Sequence, residues 1–208
     1  MKSDSIVLVD YGRGNLRSVA KALEYCGAHV RITQSASDIN RAHTLVVPGV
    51  GAFGDCMASL DRLKLSEPIR AHVRSGKRFL GICLGLQLLF EESEESPGVP
   101  GLGLVPGRVV KFTPHAAEEK VPHMGWNTLQ ITQPEHPMWR GIDNGSAVYF
   151  VHSYYAVPQD PALTAARCDY AGRFCAAVAT ETLFACQFHP EKSQAVGLHV
   201  LKNFIEWK

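Results

Sequence analysis

The sequence predicts an α/β fold: a single domain over residues 1–208 with a mixed, largely parallel central sheet flanked by helices. Three observations predict it. Short β-branched runs alternate with helical periodicity up to about residue 96. Turn residues then divide a series of strand-like runs. The only Pro/Gly-rich stretch, residues 96–107, is too short to separate a pair of domains in a chain of 208 residues.

Residues 5–10 read as the first strand. Leu16, Val19, Ala20 and Leu23, at helical spacing and closed by Gly27, complete a β-α unit. Further strands are expected over 28–33, 44–48 and 78–82. The last follows a helix with Ser66 as N-cap, Pro68 in its first turn and Gly76 as stop. Strands separated by helices pair in parallel through right-handed crossovers, with both faces of the sheet covered. Beyond Ser96, runs at 108–113, 126–131, 147–151, 163–169, 174–180 and 183–189 predict more sheet, antiparallel in part. A final helix starts near Ser193, its expected N-cap, with Val196, Val200 and Phe204 on one face.

Composition excludes several classes. Lys and Arg number 21 against 20 Asp and Glu, a net charge of +1, so the basic footprint of a nucleic-acid or membrane-surface binder is missing. The longest apolar stretch, residues 79–90, falls well short of the ~18 residues a membrane span needs. The N-terminus passes straight into a strand without a cleavable apolar segment, which predicts a cytoplasmic protein. Six cysteines without C-x-x-C spacing read as reduced thiols. Nine histidines form no H-x-x-x-H or H-E-x-x-H, and His115, His123 and His136 stand among Pro and Gly as loop residues, so no metal and no cofactor is expected.

In open α/β sheets ligands bind where strands end. Asp10-Tyr11-Gly12-Arg13-Gly14 begins like a dinucleotide fingerprint, but Arg17 stands where the third glycine belongs. Gly49-Val50-Gly51-Ala52-Phe53-Gly54 matches G-x-G-x-x-G, and is equally suited to present backbone N–H groups to an oxyanion. Gly81-Ile82-Cys83-Leu84-Gly85 has the form of a nucleophile elbow with sulfur for oxygen, the next N–H aimed at a developing oxyanion and a helix N-terminus favouring thiolate. A small core cysteine is the competing reading, weakened by the paired glycines. Phe188-His189-Pro190-Glu191 ends a strand with a base and an orienting carboxylate two residues apart, placed on one side by near-extended geometry; a surface turn is the competing reading.

These last two motifs resemble the class I, or triad, glutamine amidotransferases, whose domain is flavodoxin-like. Within them the resemblance is greatest to the glutaminase subunits of imidazole glycerol phosphate synthases. It extends through Asp10 to Val19, Pro48 to Phe53, Ser93-Glu94-Glu95, Pro122 to Asn127 and Tyr149 to Tyr154 in order. Leu86, where methionine is common, is a volume-conserving departure. The resemblance implies hydrolysis of L-glutamine to glutamate and ammonia through a thioester on Cys83, with His189 as base and Glu191 orienting it. It implies an oxyanion hole of the Leu84 N–H and one from Val50 or Gly51, and a glutamine site lined by Gln87, Glu95, Ser153 and Tyr154, with Glu95 suited to the substrate ammonium. It also implies a separate (β/α)8-barrel cyclase subunit as heterodimeric partner, contacted by Asn15, Trp126, Tyr149 and Lys192; for Trp126 a place in the core is equally open. The partner uses the ammonia to make imidazole glycerol phosphate and an aminoimidazole carboxamide ribonucleotide in histidine biosynthesis. Val50, β-branched between glycines, restricts rotation of its loop, so the hole is expected to form fully only when the loaded partner is bound. Two rivals remain: a glutaminase of the same class serving anthranilate, guanylate or pyridoxal phosphate synthesis, and a nucleotide-binding module in which Cys83 is structural.

Overall fold

The structure, a computed structural model, describes residues 5–114 and 119–207. The first half runs β1 (Ile6–Val9), α1 (Leu16–Tyr25), β2 (Val30–Thr33), α2 (Ala36–Arg41), β3 (Thr44–Gly49), α3 (Phe53–Arg62), α4 (Ser66–Arg74), β4 (Arg78–Cys83) and the single turn α5 (Leu84–Gln87). The second runs β5 (Glu92–Ser93), β6 (Gly107–Lys111), β7 (His123–Thr128), β8 (Gln130–Ile131), β9 (Ala147–His152), β10 (Tyr154–Pro158), β11 (Thr164–Asp169), β12 (Arg173–Ala179), β13 (Leu183–Cys186) and α6 (Gln194–Glu206).

The main sheet has the order β2-β1-β3-β4-β13-β12-β10-β6-β5, with β11 paired to β12 and β8 to β11. Strands β2, β1, β3, β4 and β13 are mutually parallel, and β12, β10 and β6 add antiparallel pairs. Alternation along each strand separates two cores. Leu8, Val46, Leu80 and Phe184 face α1 and α6 through Leu23, Leu201 and Phe204. Val9, Val47 and Phe79 face α2, α3 and α4 through Ile39, Leu60 and Ile69. Each such buried side chain contributes roughly 1.5–3 kcal/mol.

Several expectations need correction. Ser66 is the first helical residue of α4 rather than its cap; Leu65 holds the cap position, and the Ser66 hydroxyl donates to Asp61. Ser193 does stand at the α6 cap but makes no capping bond; its hydroxyl donates to the His189 carbonyl at 2.7 Å and accepts from the Tyr149 N–H at 2.9 Å. His123 is no loop residue. It opens β7, paired in register with His152, because alternation turns it inward while Met124 and Trp126 face out; its Pro and Gly neighbours disguise the strand. His136 precedes a 3-10 turn, and His115 lies outside the described residues. The run expected over 126–131 splits into β7 and β8. The run over 183–189 stops at Cys186, after which the Gln187 N–H bonds Ala176 and the His189 N–H bonds Tyr149, carrying the chain onto β9. Beyond it Pro190–Lys192 is a 3-10 turn, so His189 and Glu191 are not joined by extended chain.

Strands β7 and β9 form their own two-stranded sheet. Ser153 alone separates β9 from β10, which belongs to the main sheet, so the chain changes sheets there. Among the described residues no helix is long and apolar enough to cross a membrane.

Candidate active site

Where β4 ends, Cys83 adopts φ 55° and ψ −109°, a strained region for any residue with a Cβ. Its flanking glycines are required by packing. A Cβ on Gly85 would lie 1.9 Å from the Val47 carbonyl oxygen, and one on Gly81 2.8 Å from the Gly85 oxygen. The elbow is therefore locked between β3 and β13 by contacts only glycine permits. Because α5 is one turn long, its dipole is a minor influence on the sulfur. The nearer charge is His189.

His189 Nδ1 bonds Glu191 Oε1 at 2.9 Å, both side chains nearly inaccessible at 2% and 1%. Its Nε2 is buried, without a hydrogen-bond partner within bonding distance among the described residues. Burial lowers the imidazole pKa, but Cys83 and Glu191 together raise it more, to about 10. The imidazole thus has a carboxylate on one nitrogen and a thiol facing the other, the arrangement that moves a proton between sulfur and a leaving group. Gln187, which the sequence analysis gave no role, donates to Cys83 Sγ at 3.7 Å and accepts from Gln87 at 3.0 Å. Gln87 also donates to the Tyr154 carbonyl at 2.9 Å, so both of its N–H groups are spent on the protein.

A pocket of about 310 Å³ opens onto Cys83 and His189. Val50, Gly51, Leu84, Gln87, Glu95, Ser153 and Tyr154, to which the resemblance gave oxyanion and substrate roles, all line it. Glu95 Oε2 accepts from the Phe53 N–H at 2.7 Å, while Ser96 accepts from the Gly54 N–H at 3.0 Å. These contacts bear on the dinucleotide reading. The α3 N-terminus that would bind a pyrophosphate is already filled, and by a carboxylate that would repel it. At the first exit Asp10 likewise occupies the turn, accepting from the Gly12 N–H at 2.9 Å. Glu95 has no Lys or Arg partner among the described residues, which suits it to a substrate cation.

The structure adds Pro122, Val151 and His152 to the lining. His152 Nδ1 bonds the Tyr154 carbonyl at 2.8 Å, so it carries the proton and Nε2 is an acceptor. His123 Nδ1 then donates to that nitrogen at 3.1 Å, leaving His123 Nε2 to face the Asn127 amide at 3.4 Å. Tyr170 and Phe150 stack on His123 at 4.0 and 4.9 Å. Burial lowers His123 to about 4; burial, then the neighbouring imidazoles against the Tyr154 bond, lower His152 to about 3. Both are neutral in the fold yet protonate in the unfolded chain below about pH 6.5. Unfolded molecules then bind more protons, so stability falls with falling pH, by on the order of 2 kcal/mol for each imidazole at pH 5. Urea unfolding of His123→Phe should show a shallower slope of stability against pH between 5 and 7 than wild type. Equal slopes would contradict the neutral pair.

Trp126 is exposed, 49% accessible, which removes it from the core. It meets Tyr149 edge-on at 6.1 Å, and Lys192 Nζ lies 5.8 Å from the centre of the Tyr149 ring. Met124, 62% accessible, continues this surface. The Tyr149 backbone is held on both sides, its carbonyl by the His189 N–H and its N–H by Ser193, so the exposed cluster is fastened directly to the buried histidine. Asn15 stands half-buried at the N-terminus of α1.

Comparison with known proteins follows the same lines. A family model described as glutamine amidotransferase class-I matches residues 7–207. An imidazole glycerol phosphate synthase subunit HisH from Syntrophotalea carbinolica is 55% identical over 203 residues, covering 96% of this chain and 98% of the relative. The protein of the same name from Acinetobacter baylyi is 51% identical, covering 97% and 98%. Among solved structures, a glutamine amidotransferase superimposes with TM-score 0.74 at 20% identity, covering 97% of both chains. The structure of PurLQS from Thermotoga maritima gives 0.73 at 22% identity, covering 98% and 96%. At these identities the structures speak for the fold, while the near full-length sequence relatives speak for descent. The chain belongs to the class-I glutamine amidotransferases, in the family of the imidazole glycerol phosphate synthase subunit HisH.

Proposed function

We propose that the whole chain is one glutaminase domain, the ammonia-producing subunit of a cytoplasmic imidazole glycerol phosphate synthase, with Cys83, His189 and Glu191 as its catalytic triad. The observation carrying this reading is the buried His189, bonded to Glu191 on one nitrogen and facing Cys83 with the other. Glutamine enters with its ammonium toward Glu95 and its side-chain amide toward the elbow. Cys83 sulfur attacks the amide carbon, and the oxyanion is met by the Leu84 N–H and an N–H of Val50 or Gly51. His189 takes the thiol proton and delivers it to the departing nitrogen. The thioester is then cleaved by water, with His189 again as base, to give glutamate. Ser153 and Tyr154, fixed at the crossing between sheets, bound the substrate opposite the elbow.

The ammonia passes to a (β/α)8-barrel cyclase in a one-to-one heterodimer. There it combines with a phosphoribulosyl formimino-carboxamide ribonucleotide, giving imidazole glycerol phosphate and aminoimidazole carboxamide ribonucleotide. Trp126, Tyr149, Lys192 and Asn15 form the docking face, an assignment supported by the exposed aromatic cluster beside the pocket mouth. The test is glutamate release from L-glutamine by the chain alone, with the cyclase, and with the cyclase plus its nucleotide ligand. Release is expected to rise with the loaded cyclase; equal turnover in all three conditions would refute coupling, and no turnover in any would refute the glutaminase.

A further inference from the structure

The loop that follows β3 runs beside the elbow, with Gly49 in register with Cys83. Two fully buried side chains hold its carbonyls from behind. Tyr11, just past the end of β1, donates its hydroxyl to the Pro48 oxygen at 2.8 Å. Cys56, in the second turn of α3, donates its thiol to the Val50 oxygen at 3.8 Å. The first bond fixes the Pro48–Gly49 peptide and the second the Val50–Gly51 peptide. Between them lies the Gly49–Val50 peptide, whose N–H is the Val50 donor, one of the two offered to the oxyanion.

We propose that Tyr11 and Cys56 are positioning residues for the oxyanion hole, anchoring the peptides on either side so that the Gly49–Val50 unit turns alone and presents the Val50 N–H. The proposal rests on the glutaminase reading. Turning a single peptide requires opposite rotations about Gly49 ψ and Val50 φ, which glycine allows and fixed neighbours confine. The same tyrosine accounts for the glycine: a Cβ on Gly49 would lie 2.5 Å from the Tyr11 hydroxyl and 2.8 Å from Leu84 Cβ. Both anchors remain protonated donors at neutral pH. Burial, then Cys56, pushes the Tyr11 hydroxyl well above its usual range, and burial carries the Cys56 thiol to about 11 against the pull of Tyr11.

The competing account is plain core filling, in which the Tyr11 hydroxyl takes the nearest acceptor because a buried hydroxyl needs one. The two accounts differ in what Tyr11→Phe changes. In the cyclase complex, loss of the anchor should lower kcat for glutamine by about tenfold or more while KM stays near wild type, since only a transition-state interaction is disturbed. Alkylation of Cys83 by iodoacetamide, followed by mass spectrometry of its peptide, should keep the wild-type rate, because displacement at a saturated carbon builds no oxyanion. Cys56→Ala should act in the same direction, and the double variant should lose less than the two effects combined. Wild-type kcat in Tyr11→Phe, or kcat and alkylation falling together, would overturn the proposal and leave the glutaminase intact. A wild-type complex without Cys83-dependent release would overturn both.

Discussion

Cys83→Ala is expected to cut glutamate release by the cyclase complex about 10⁴-fold or more, while synthesis driven by added ammonium salt stays near wild type. The substitution is clean because alanine keeps the Cβ. The strained φ of 55°, tolerated by cysteine, costs alanine no more, and the glycine contacts that lock the turn are untouched. Cys83 is 6% accessible and its sulfur accepts from Gln187, whereas Trp126 and Met124 are exposed. Removing the sulfur takes the attacking atom and little else. Thermal midpoints of wild type and variant, measured beside both assays, check that the fold and the docking face persist. Loss of ammonium-driven synthesis as well would assign Cys83 to folding or docking.

What could be read from the sequence, and what could not, divides along a physical line. Parallel strands buried on both faces are near-continuous apolar runs, and β1, β3 and β4 announce themselves as such. The elbow is legible because its glycines answer a steric demand that no other residue meets. The 310 Å³ pocket gathers Gln87, Glu95, Ser153 and Tyr154, which the family resemblance, and not local spacing, put beside the substrate. Features that depend on partners distant in sequence were hidden. His123 sits between proline and glycine and reads as loop, yet its place is decided by pairing with His152, 29 residues on. Gln187 reads as one more strand residue until Cys83 and Gln87 are seen against it. Tyr11 has an ordinary aromatic's signature, and only its bond to Pro48, 37 residues away, gives its hydroxyl a purpose. The dinucleotide ambiguity was of the same kind. Local spacing could not separate a phosphate cradle from an oxyanion loop, whereas Glu95, folded back onto the α3 N-terminus, does.

Glu191→Gln should lower kcat by about 10³ to 10⁴ with little change in shape. The carboxylate lies 2.9 Å from His189 Nδ1 and both side chains are nearly inaccessible, so it dictates which nitrogen carries the proton. An amide can turn its NH2 toward Nδ1, stabilising the tautomer with its proton on Nε2. That imidazole cannot accept a proton from Cys83. The negative charge is lost as well. Against the burial that lowers it, His189 is held at about 10 by Cys83 and Glu191, so deleting the Glu191 contribution must bring it down. The sign then follows for activity: the alkaline decline in kcat/KM, as the imidazolium loses its proton, should move to lower pH in the variant. It follows for stability too. A folded-state pKa above the unfolded value of about 6.5 adds stability that is full below pH 6.5 and lost as pH rises toward 10. The wild type should therefore exceed Glu191→Gln most at pH 6 and progressively less at pH 8 and 9 in urea unfolding. A variant with kcat within about tenfold of wild type and an unmoved alkaline limb would take Glu191 out of the reaction and leave His189 to be oriented by its backbone bond to Tyr149 alone.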